Sequence, residues 1–98
     1  MARRVIRYQT NPDKADENQR YIEIVFSELE RVTPSGVRYA ALRLEDGLFV
    51  HLADIDNGPG LTGLASFQAF QSGLSTRISD KPLVREAVLI GNYRMIGE

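Results

Sequence analysis

VRYAALRLEDGLFVHLAD, residues 37 to 54, holds two runs rich in aliphatic and aromatic residues on either side of Glu45-Asp46-Gly47. Val37 to Leu44 and Leu48 to Asp54 read as two strands, and the turn between them makes a hairpin. The length of that turn decides which side chains share a face. A two-residue Asp46-Gly47 turn sets Leu42 opposite His51 and mixes the histidine with the leucines. A three-residue Glu45-Asp46-Gly47 turn, with Gly47 in the left-handed conformation, pairs Leu44 with Leu48, Leu42 with Val50 and Ala41 with His51. A one-residue slip flips every side chain, so burial selects the register that keeps the aliphatic set together. Leu42, Leu44, Val50 and Leu52 are then expected against the helices, with Tyr39, Ala41, Arg43, Phe49 and His51 on the opposite face. The two-residue type I′ turn is the alternative, and a histidine packed against the helices would be its mark.

Upstream of the hairpin, Arg3 to Gln9 reads as a strand, and Asn11 as N-cap with Pro12 at the first helical position opens a helix. Asp13, Asp16 and Glu17 sit at its positive end. Ile22, Val25, Phe26, Leu29 and Val32 recur at three- and four-residue spacing, so one face packs on a sheet, and Thr33-Pro34-Ser35-Gly36 ends the helix. Downstream, a loop from Ile55 to Leu61 leads into a second helix carrying Leu64, Phe67, Phe70 or Gln71, Leu74 and Ile78. Lys81-Pro82 stops it, and Leu83 to Ile96 reads as a long final strand.

The order is strand, helix, strand, strand, helix, strand over one domain spanning residues 1 to 98. Right-handed crossovers around a central hairpin turn it into an α+β, ferredoxin-like βαββαβ fold: a four-stranded antiparallel sheet with both helices on one face. The other face is predicted to mix Val5, Ala41, Phe49 and Ala53 with Arg7, Tyr39, Arg43 and His51. Such a face needs a cover, and a second copy is the simplest one, giving a homodimer through the open sheet face and a dimeric α+β barrel.

The chain has 98 residues, and a domain this short hides only roughly 60 to 68% of its unfolded surface, which leaves a thin core. Twelve Lys and Arg balance thirteen Asp and Glu, so no global field favours nucleic acid, anionic lipid or acidic substrates. Without cysteine there is no disulfide, thiolate metal site or cysteine nucleophile, which fits a reducing cytoplasm. No apolar run is long enough for a signal peptide or for the roughly 20 residues of a membrane helix.

His51 is the only histidine and the one side chain whose ordinary pKa makes it a ready base near neutrality. One histidine without cysteine makes a metal site unexpected. Arg43 and Arg7, on one face with His51 and Tyr39, could hold an anionic or enolic group by forked hydrogen bonds. Phe49 adds apolar surface there, and Asn92 joins if the last strand turns it inward. Gly58-Pro59-Gly60-Leu61-Thr62-Gly63 matches the glycine pattern of dinucleotide sites, but Pro59 removes a backbone donor and the successive βαβ units of that fold are missing. It reads as a loop bordering the pocket opening.

With its element order and the runs RYQTNPDKADEN, VRYAALRLEDGLFVHLADID and SFQAFQSGLSTR, the chain resembles the antibiotic biosynthesis monooxygenase-like group of dimeric α+β barrel proteins. The resemblance implies a homodimer with facing sheets and, in some members, oxygenation of aromatic or polyketide substrates without a cofactor. In that picture His51 takes a proton from a phenolic or enolic substrate, Arg43 with Arg7 stabilises the anion, and Tyr39 orients it. The sequence lacks the tryptophan of several such oxygenases, as well as the first-strand Asn and second-helix His of haem-degrading relatives. A non-enzymatic dimeric ligand-binding or accessory protein is the alternative.

Overall fold

The computed structural model describes residues 2 to 55 and 60 to 97. Its elements are β1 (Ala2–Gln9), α1 (Ala15–Val32), β2 (Arg38–Arg43), β3 (Leu48–Ile55), α2 (Ala65–Ser72) and β4 (Leu83–Ala87), with short 3-10 turns at Gly60–Gly63 and Leu74–Thr76. The sheet is antiparallel in the order β2-β3-β1-β4, the ferredoxin-like arrangement, and both helices pack on one face of it.

The hairpin adopts the three-residue turn. Ala41 pairs with His51 and Leu42 with Val50, the Leu44 amide donates to the Leu48 carbonyl at 2.8 Å, and Gly47 has φ +83°. A Cβ at Gly47 would also lie 3.0 Å from Thr10 Oγ1, so space as well as backbone angle calls for glycine.

The register is as expected, but the hairpin faces the other way, while Val5 and Arg7 of β1 lie on the uncovered face as expected. Tyr39, Phe49 and His51 lie against the helices, where Tyr39 stacks on Phe26 with ring centres 5.1 Å apart and His51 meets Phe70 at 5.7 Å. Leu42 and Leu44 lie on the uncovered face, with Leu42 55% exposed, so hydropathy did not choose the inner side. Shape and hydrogen bonding chose it. The helices bring flat rings, Phe26, Phe67 and Phe70, that stack with rings from the strands, and no buried side-chain polar atom among the described residues is left without a partner. A histidine against the helices therefore did not require the two-residue turn.

Three boundaries differ from the sequence reading. Helix α1 starts at Ala15 because residues 12 to 14 form a separate turn, closed by the Lys14 amide donating to the Asn11 carbonyl at 2.9 Å. The second helix is α-helical only to Ser72 and continues after Gly73 as a 3-10 turn; Phe70, not Gln71, faces the core. The last strand stops at Ala87, which is paired with Arg3, and does not reach Ile96. Val88, Ile90, Tyr93 and Met95 beyond it are strongly exposed. Most of the loop assigned to residues 55 to 61, with the start of the glycine pattern, lies outside the described residues.

Candidate functional site

Strand alternation puts Ile6 and Tyr8 of β1, Tyr39 of β2 and His51 and Ala53 of β3 on the helix side of the sheet. With Leu61, Phe67, Phe70, Leu74 and Val84 they line a mostly apolar cavity of about 360 Å³, and exposed Arg4 also borders it. Its polar wall is a chain of buried side chains. The Tyr8 hydroxyl is 2.8 Å from His51 Nε2, the Tyr39 hydroxyl is hydrogen-bonded to His51 Nδ1, and Asn18 Nδ2 donates to the Tyr8 hydroxyl at 3.0 Å. Arg77 Nε in turn donates to Asn18 Oδ1 at 2.9 Å.

The six residues singled out from the sequence do not gather at one place. His51 and Tyr39 meet on the cavity wall. Arg43 lies toward the rim on the same side of the sheet, bonded to Asp16 at 3.0 Å and Gln19 at 2.6 Å of α1, with its guanidinium 5.8 Å from the centre of the Phe49 ring. These two residues border a different depression, of about 430 Å³, between α1 and β2. Arg7 is on the other face altogether, since it pairs with Val50 while Ile6 pairs with His51. Asn92 is exposed beyond β4, where its side chain bonds the backbone of Met95 and Ile96. Arg43 does share a face with His51, but Asp16 and Gln19 hold it at the rim, and Arg7 is separated because β1 sets Ile6, not Arg7, opposite His51.

The sequence reading missed Tyr8, Asn18 and Arg77. The signal was there for Asn18, which stands four and seven residues before the buried Ile22 and Val25 on the apolar stripe of α1. A polar residue on such a stripe needs a buried partner. Arg77 follows Phe70 by seven residues, but the break at Gly73 hides that relation from helical periodicity.

Burial sets the electrostatics. It raises Tyr8 to about 12, against the lowering effects of the Asn18 hydrogen bond and the Arg77 charge, and raises Tyr39 with a further push from Tyr8. Both are neutral phenols at ordinary pH. Burial lowers His51 to about 4, so the imidazole is neutral as well. The unfolded chain, with an ordinary value of 6.5, binds a proton that the folded chain refuses, so this contribution to stability is complete above that value and is lost as pH falls toward 4. Between about pH 8 and about pH 5 the loss is about 2 kcal/mol. Urea midpoints of the wild type and His51→Gln at the two pH values check this; an equal pH dependence would show that the histidine is not the source.

No group of three or more His, Cys, Asp or Glu suited to a metal is found among the described residues, and no helix is long and apolar enough to cross a membrane.

No family model matches the sequence, and no curated protein matches it significantly. Solved structures do match. A "putative antibiotic biosynthesis monooxygenase" from Bacteroides thetaiotaomicron superposes with a TM-score of 0.76 at 16% identity, covering 91% of this chain and 89% of its own. A protein of the same description from Nitrosomonas europaea gives 0.74 at 11% identity, over 93% of this chain and all of its own. The one from Caulobacter crescentus gives 0.72 at 16%, over 92% and 90%. The chain has the fold of antibiotic biosynthesis monooxygenase-like proteins. That likeness extends over nearly the whole chain and fixes the architecture, while the chemistry has to be argued from the cavity.

Proposed function

We propose that the cavity between the sheet and α2 takes a small aromatic or enolic molecule and that the protein oxygenates it with molecular oxygen and no cofactor. The observation that carries this reading is the pairing of a largely aromatic and aliphatic cavity of about 360 Å³ with a buried, hydrogen-bonded Tyr39–His51 pair on its wall. An enolate or phenolate, its proton given up to solvent, is held by its oxygen at that pair and leaves its electron-rich carbon in the apolar space. Dioxygen adds to that carbon, which keeps one hydrogen; the peroxide takes up a proton and loses water, and a carbonyl remains. One oxygen atom thus stays in the product, the other leaves as water, and the substrate supplies all four electrons. Hydrogen bonding at such a largely apolar wall stabilises charge more than it does in water. Both His51 nitrogens are taken by tyrosines, so the histidine reaches the substrate through Tyr39 and is a positioning residue. Arg4, which borders the cavity, replaces Arg43 and Arg7 as the cation near the anion.

The test is oxygen uptake by the purified protein against a panel of phenols and 1,3-diketones. With an active substrate, His51→Ala is expected to abolish uptake and Tyr39→Phe to lower it about 100-fold; unchanged uptake in His51→Ala removes the histidine from the mechanism. A second reading, a ligand-binding protein without turnover, is favoured by the quiet state of the site, in which burial holds His51 neutral and its hydrogen bonds are satisfied. It predicts ligand-induced thermal stabilisation with no consumption of ligand or oxygen.

The same reading includes a homodimer. The open face presents Leu42, Leu44, Val50 and Leu52 beside Arg7 and Arg85, and its exposed leucines are what a second copy of the sheet would cover.

A further inference from the structure

Arg77 is 1% exposed and its hydrogen bonds go to neutral groups: Asn18 Oδ1 at 2.9 Å and the Phe70 carbonyl at 2.7 Å. Its guanidinium lies over Tyr21, 4.3 Å from the ring centre, and a Cβ on Gly73 would come within 2.8 Å of Nη1, so the backbone leaves room for it. A guanidinium donates and never accepts. That fact propagates. Asn18 must turn Oδ1 toward Arg77, which leaves its Nδ2 to donate to the Tyr8 hydroxyl. One tyrosine proton along Tyr8–His51–Tyr39 has no protein acceptor; Tyr8 is 3% exposed whereas Tyr39 is only half-buried, so the Tyr8 proton goes to its other partner, His51 Nε2 at 2.8 Å, and the leftover O–H falls on Tyr39. Nε2 therefore accepts, the neutral ring carries its proton on Nδ1, and Nδ1–H donates to the Tyr39 oxygen.

We infer that Arg77, through Asn18, sets the direction of the whole hydrogen-bond chain, leaving the Tyr39 O–H as the donor offered to the cavity and selecting ligands that present a carbonyl or enolate oxygen. Arg77 and Asn18 are positioning residues: they touch no ligand, but they decide whether Tyr39 gives or takes a proton. The ligand class rests on the cavity being a ligand site, as proposed above, whereas the direction of the chain does not.

The chain's single histidine makes the direction measurable without assignment. In the uniformly 15N-labelled wild type at neutral pH, long-range 1H–15N correlation is expected to show a protonated Nδ1 and an unprotonated Nε2. Asn18→Asp puts a carboxylate between Arg77 and Tyr8 that accepts from both, so Tyr8 turns round and the protonated nitrogen becomes Nε2. A wild-type ring protonated on Nε2, or an even mixture of tautomers, overturns the inference even if the variant does not fold. So does a folded Asn18→Asp protein with an unchanged tautomer. The ligand class is read by titrating acetophenone against shape-matched ethylbenzene. At least tenfold tighter binding of the ketone, lost in Tyr39→Phe, is expected. Equal binding overturns the selectivity, and binding of neither overturns the cavity as a ligand site while the tautomer result stands on its own.

Discussion

Replacing Phe49 by alanine is expected to lower the free energy of unfolding by about 3 to 5 kcal/mol, the usual range for deleting a fully buried aromatic ring. Phe49 is 1% exposed, its ring stacks on Tyr8 at 5.7 Å, and the Arg43 guanidinium lies 5.8 Å from its centre. Neither neighbour can collapse into the space. Tyr8 is held by Asn18 and His51, and Arg43 is held by Asp16 and Gln19. The cavity term therefore adds to the transfer term instead of being relieved by repacking. Urea unfolding measures the loss as a fall in midpoint with an unchanged slope. A loss below about 1.5 kcal/mol would mean that the ring contributes little beyond exposed apolar area. In a domain of this size the expected loss is a large part of total stability.

Charging the open face is expected to act on association and leave the protomer intact. Leu42 is 55% exposed on its own sheet, so Leu42→Asp costs the single chain little. In a dimer with facing sheets the same change takes a carboxylate from each subunit out of water and into a leucine-rich interface; even with Arg7 on the same face as a counter-charge, the dissociation constant is expected to rise at least about 100-fold. Sedimentation velocity across a concentration series reads the result. A wild type that sediments as a monomer at high concentration, or a Leu42→Asp protein as dimeric as the wild type, would sink the facing-sheet arrangement. A far-UV spectrum matching that of the wild type shows that the substituted chain still folds.

Both expectations depend on which side of the hairpin faces inward, and this is where the sequence was legible only in part. Element order, strand pairing and the left-handed Gly47 follow from local chemistry: turn residues, periodicity and the need to keep like side chains together. The facing of the sheet does not follow, because both faces of the hairpin carry enough apolar surface to be buried. Leu42, Leu44, Val50 and Leu52 outrank Tyr39, Phe49 and His51 in hydropathy, yet the second set has partners among the helical aromatics and a complete set of hydrogen bonds. Those partners are distant in sequence, so no local window contains the deciding comparison. The same holds for the site. His51 and Tyr39 belong to one hairpin and could be read together, whereas Asn18 and Arg77 lie 59 residues apart and meet only when α1 and the turn after α2 are packed. The reach of the last strand was misread for a simpler reason: its composition favours a sheet throughout, but a strand also needs a partner, and pairing with β1 covers only Leu83 to Ala87.

The position of β1 has a consequence for how the chain comes to be folded. It is made before the other three strands, yet it is hydrogen-bonded on both sides to segments made later, β3 on one edge and β4 on the other, with Arg3 opposite Ala87. During synthesis one edge of β1 can pair only once β3 has been made, and the other edge waits for β4, made later still. The sheet is thus completed late, when β4 fills the second edge of β1, and a product cut short before Pro82 leaves that edge of a central strand bare.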